Sequence, residues 1–60
     1  MIFYAIKDLN TQMYLDDFNG FSPYLKDATY FFTRKEAEAY VKFEELFDCE
    51  IVKCVVKEVN

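Results

Sequence analysis

Thr33-Arg34-Lys35-Glu36-Ala37-Glu38-Ala39-Tyr40-Val41-Lys42-Phe43-Glu44-Glu45-Leu46-Phe47 is the stretch that decides the fold. It opens on a capping box: the Thr33 hydroxyl is placed to accept from the amide of Glu36, and the Glu36 carboxylate to reach back to the amide of Thr33. Residues 34–47 contain no Gly or Pro and one β-branched residue, Val41, so nothing breaks a helix there before Asp48-Cys49 closes it. At 100° per residue, Ala37, Ala39, Tyr40, Val41, Phe43, Leu46 and Phe47 cover an arc of roughly 220°. A helix lying on a sheet needs an apolar stripe of only about 100° or somewhat more. Arg34, Lys35, Glu38, Lys42 and Glu45 fill the polar remainder, and Glu36 and Glu44 interrupt the apolar arc.

Outward from the helix, the chain reads as strands. Residues 2–7 alternate, with Ile2, Tyr4 and Ile6 on one face and Phe3, Ala5 and Lys7 on the other. Asp8 to Gln12 forms a hairpin loop in which Asn10 is the residue suited to a left-handed conformation. Residues 13–18 return as a second strand, and Asn19-Gly20 turns the chain. Residues 19–27 are the longest irregular piece, with Phe21, Tyr24 and Leu25 available to cover part of the helix. A short third strand is expected at 29–33, with Tyr30 and Phe32 opposed to Phe31. The last strand runs from about Glu50 to Val59. Val52, Cys54 and Val56 line one of its faces; Ile51, Val55 and Val59, with Lys53 and Lys57, line the other. If the first face meets the helix, the second is more apolar than a solvated sheet face needs to be. The expectation is one α+β domain over 1–60: an antiparallel sheet of three to four strands with one helix packed on it, in the order β-β-β-α-β.

A chain of 60 residues buries only about 60% of the surface its unfolded form exposes. Five Tyr and seven Phe are more rings than so small a core encloses. Some belong at an interface, where Tyr and Phe are enriched. Together with the wide helical arc and the two-faced last strand, this marks Tyr40, Phe43, Phe47, Ile51, Val55 and Val59 as the candidate protein interface. A homodimer is the first partner expected.

Catalytic chemistry is poorly supplied. The chain has no His, and with it the commonest general base is missing. Asp16-Asp17, on a strand, point to opposite faces. Glu44, Glu45, Asp48 and Glu50 gather near the helix end, where negative charge opposes the macrodipole. One glycine excludes a glycine-rich phosphate loop, and no Cys/His or Asp-rich spacing fits zinc or calcium. No enzyme activity, catalytic residue, cofactor or metal is therefore expected. Net charge −4 argues against a phosphate-tracking nucleic-acid binder.

Cys49 and Cys54 sit five residues apart on one strand, roughly 16 Å along it and on opposite faces, so they are expected to stay unpaired. Free thiols favour a reducing, cytoplasmic compartment. The opening Met1-Ile2-Phe3-Tyr4-Ala5-Ile6-Lys7-Asp8 lacks the basic segment of a signal peptide, and no apolar run reaches membrane-span length.

Tyr4-Ala5-Ile6-Lys7-Asp8, Thr11, Tyr14-Leu15, Ala28, Phe31 and Phe32, and Thr33-Arg34-Lys35-Glu36-Ala37-Glu38 resemble a pattern in small bacteriophage-encoded accessory proteins. There an Ile-Lys strand, a hairpin, a helix start of the form T-K-x-E-A and a final strand recur over most of the chain. The anti-Hachiman inhibitors are a group of comparable size. The resemblance implies a non-catalytic protein that binds and inhibits a host protein, such as an antiviral defence component, in the host cytoplasm. It carries over no functional residue. The alternatives are a structural subunit that completes a partner's sheet and a DNA mimic.

Overall fold

The structure, a computed structural model, describes residues 1–55. Four strands, β1 (Ile2–Asp8), β2 (Tyr14–Leu15), β3 (Phe21–Ser22) and β4 (Cys49–Val55), form one antiparallel sheet in the spatial order β3-β2-β1-β4. Among the described residues one α-helix, α1 (Arg34–Phe43), lies across β1 and β4, and a short 3-10 turn occupies Leu25–Asp27. The fold is α+β with the chain order β-β-β-α-β. Among the described residues no helix is long and apolar enough to cross a membrane.

The two long strands carry the sheet. β1 and β4 pair over seven residues, from Ile2–Val55 to Asp8–Cys49. Both sides of the sheet are apolar. On the helix side Ile6, Leu15 and Ala37 are buried among Tyr4, Phe31, Tyr40, Val41, Leu46, Cys49 and Ile51. On the far side Ala5, Ala28 and Cys54 are buried with Phe3, Tyr14 and Val52 around them. The ring of Phe3 stacks on Tyr30 at 5.2 Å and meets Phe32 at 6.0 Å. Cys49 and Cys54 fall in different clusters and are both free thiols, as the odd spacing requires.

Several local expectations are corrected. Residues 29–33 do not form the third strand. Ala28 and Phe31 run beside Asp16 and Tyr4 through single bridges, and the third strand is Phe21–Ser22, inside the piece expected to be irregular. β2 is two residues long because the Asp16 carboxylate accepts from the amides of Phe18 and Gly20, both at 2.9 Å, and folds the chain into the β2–β3 turn. In the first hairpin the left-handed residue is Gln12 (φ 63°) rather than Asn10. The Asp8 carboxylate fixes that loop by accepting from the Thr11 hydroxyl and amide at 2.6 and 3.0 Å. These two bonds, the hydroxyl first, hold Asp8 below the ordinary aspartate range.

The helix starts as expected and stops early. Thr33 is the N-cap and accepts from the Glu36 amide at 3.1 Å. The Glu36 carboxylate takes the Thr33 hydroxyl at 3.2 Å instead of the Thr33 amide. At the other end the helix closes after Phe43, four residues short of Phe47. The Leu46 amide donates to the Val41 carbonyl at 3.0 Å and the Glu45 amide to the Lys42 carbonyl at 3.3 Å. This pair of bonds is a Schellman closure, which needs a left-handed residue at its turning point. Glu45 occupies it with φ 52°, where glycine is usual. Leu46 is thereby folded back into the helix-side cluster beside Val41.

The face of β4 that meets the helix is the opposite of the one expected. Ile51 and Cys49 pack under α1, while Val52 and Cys54 belong to the far side. The register with β1, which sets Ile51 opposite Ile6 and Val52 opposite Ala5, fixes that orientation. Expectations for Val56 and Val59 lie outside the described residues.

Candidate functional site

The expected interface divides into two places. Tyr40 and Phe43 line an apolar groove on one flank of α1, completed by Phe31, Ala39 and Glu36. Ile51 is half-buried beneath the helix, and Val55, 66% exposed, lies on β4. Phe47, 82% exposed, stands in the turn between them. Val59 is outside the described residues.

The groove is shallow and open to solvent, with about 500 Å³ of space over its apolar lining. Its wall is rigid for identifiable reasons. The Phe31 and Tyr40 rings meet at 5.5 Å. Phe31 is pinned to β1 by reciprocal amide–carbonyl bonds with Tyr4, both 2.8 Å. The Tyr40 hydroxyl donates to the Asn19 side chain at 3.3 Å, so the β2–β3 turn braces the helix. Of the loop residues expected to cover the helix, Phe21, Tyr24 and Leu25, none enters the helix-side cluster. Phe43 is left 82% exposed at the groove's edge. Sequence reasoning found Tyr40 and Phe43, and it placed Ala39 on the apolar arc. It missed Phe31, because the side Phe31 presents is set by its bridge to Tyr4, a contact 27 residues away in the chain.

The charge around this groove is concentrated. Residues 36–50 hold six carboxylates (Glu36, Glu38, Glu44, Glu45, Asp48, Glu50) against one cation, Lys42, a net of −5. The whole chain carries −4, so the remaining residues sum to +1. The exposed rings Phe43 and Phe47 therefore stand within the most acidic stretch of the molecule.

Other polar groups have structural duties. Besides the Asp16 turn, Asp17 accepts from the Thr29 hydroxyl at 2.7 Å and Asp27 from the Ser22 hydroxyl at 2.9 Å. Asp16, Asp17, Ser22 and Asp27 border a second, open cavity of about 540 Å³ with Phe18 and Lys26. Among the described residues no three His, Cys, Asp or Glu side chains cluster closely enough to hold a metal ion. Burial pushes the thiols of Cys49 and Cys54 up, and the carboxylates of Asp8 and Asp48 push Cys49 further. Both thiols are thus biased away from the nucleophilic thiolate. The arrangement offers an open apolar groove with Glu36 as its one acidic lining residue and the Phe43 ring projecting at its edge. Compared with protein-family models, with curated proteins and with solved structures, the chain matches none.

Proposed function

We propose that this domain is a non-catalytic binding protein of the phage accessory type, which engages and blocks a basic, partly apolar surface of a host protein. The observation that carries the reading is the apolar groove of Phe31, Ala39, Tyr40 and Phe43, three of whose residues lie in a segment, 36–50, of net charge −5. A preformed apolar slot beside an exposed aromatic ring is the usual form of an interface hot spot. The acidic residues that accompany Phe43 and Phe47 in sequence favour encounter with a cationic partner over an acidic one. The missing histidine and the structural employment of Asp16, Asp17 and Asp27 favour binding over catalysis.

The test is affinity capture from bacterial lysate with the wild-type chain and with Phe43→Ala. One dominant host protein is expected with the wild type, lost with Phe43→Ala and weakened by added salt. Recovery of the same proteins by both chains would remove the groove from the function.

A further inference from the structure

The strand β4 is a sheet edge, and its pairing parity can be read from β1. The amide and carbonyl of Tyr4 bond to Phe31, and the amide of Asp8 bonds to Met13, so the even residues of β1 point away from β4. The Leu9 amide donates to the Asp48 carbonyl at 2.8 Å, in register with the β1–β4 ladder. Glu50, Val52 and Cys54 therefore turn their backbone groups toward β1. Cys49, Ile51, Lys53 and Val55 turn theirs outward from the sheet. The opposite edge, β3, is only two residues long and is followed by Pro23, which blunts it. β4 presents a seven-residue edge free of proline and glycine.

We infer that the β4 edge pairs with the same edge of a second copy of this chain, antiparallel about a two-fold axis at Ile51, joining the two sheets into one. Three features favour a second copy over another strand. First, a two-fold at Ile51 sets Ile51 against Ile51 of the other copy and Lys53 against Cys49, next to Asp48. The edge lysine then faces Cys49 and not the other copy's lysine. Three narrow pairs, at residues 49, 51 and 53, supply about six hydrogen bonds. Second, α1 rests over β1 and β4 alike. With strands about 4.8 Å apart, the two helices would lie about 10 Å apart, near the 8–10 Å of packed helices. Third, the helix flank facing that axis is self-complementary. The groove flank is fixed on the side of β1 away from β4 by Phe31. At 100° per residue the other flank carries Lys35, Glu38 and Lys42. Antiparallel helices place Glu38 of one near Lys42 of the other. The groove of Phe31, Ala39, Tyr40 and Phe43 stays open in this assembly.

Two variants test it. Lys53→Pro removes an outward amide and leaves the β1–β4 ladder whole, as proline is tolerated on an edge strand with its nitrogen outward. Sedimentation equilibrium should give twice the 7.2 kDa chain mass for the wild type and the single-chain mass for Lys53→Pro with an unchanged circular dichroism spectrum. A wild type fixed at the single-chain mass at millimolar concentration, or a folded Lys53→Pro that remains dimeric, overturns the proposal. Should Lys53→Pro lose its fold, Lys53→Cys decides. Its new thiol would face Cys49 of the other copy at about 5.5 Å between Cα atoms, within disulfide range, and about 13 Å from its own Cys49. Oxidation should yield a covalent dimer, abolished by Cys49→Ala. No covalent dimer, or one that survives Cys49→Ala, overturns the register.

Discussion

Glu45 is the position where the structure makes its sharpest energetic demand. Its φ of 52° closes α1 through the Schellman bonds, and it carries a side chain where glycine is usual. A left-handed conformation costs a non-glycine residue roughly 1–2 kcal/mol. Glycine loses more chain entropy on folding, about 0.5–1 kcal/mol, so the net gain from Glu45→Gly is about 0.5–1 kcal/mol. Removing a carboxylate from the negative end of the helix adds about 0.3 kcal/mol. The sum is about 1 kcal/mol, and in a domain of this size that raises Tm by roughly 4–8 °C. Thermal melts followed by circular dichroism measure it directly. Urea unfolding should show a higher midpoint at unchanged slope. Glu45→Ala is the control, because it removes the charge and keeps the strain. Its Tm should rise by no more than about 2 °C. Equal shifts for the two variants, or a lower Tm for Glu45→Gly, would show that the left-handed turn at Glu45 is not strained and would sink the reasoning.

Other outcomes follow from the same structure. Ile6 is the one large side chain that is wholly buried among the described residues. Ile6→Ala should cost about 2–5 kcal/mol, which for a core this small is most of the total stability, about 3–5 kcal/mol. A largely unfolded spectrum at 25 °C is expected, whereas Phe18→Ala, at a 92% exposed ring, should leave the melt nearly unchanged. The carboxyl of Asp8 is held below its ordinary value by Thr11. Its contribution is therefore present above the unfolded aspartate range and lost as pH falls through the lower folded value. In paired melts across pH, the deficit of Asp8→Asn at neutral pH should vanish in acid; a constant deficit would refute the linkage. The buried thiol of Cys54, raised by desolvation, should react with a thiol reagent at pH 8 only as fast as the domain unfolds. Labelling at the rate of a free peptide thiol would contradict its burial.

Much of this fold is written locally. Thr33 and Glu36 start the helix by their own side-chain chemistry, and the alternation of 2–7 and 51–55 produces strands wherever the chain goes. The odd spacing of Cys49 and Cys54 sends them to opposite faces without tertiary help. What the sequence left open was decided by contacts between distant residues. Both faces of β4 are apolar, so period-2 alternation could not say whether Ile51 or Val52 meets the helix; the register with β1 decides it, setting Ile51 opposite Ile6. No local signal ends the helix at Phe43, because Glu45 is a poor left-handed residue. Burial of Leu46 beside Val41 and the two Schellman bonds offset that cost. The side presented by Phe31 depends on its bridge to Tyr4, and with it the groove. The excess of apolar side chains was thus visible in the composition, while their division between a helix flank and a sheet edge is a property of the packed domain alone.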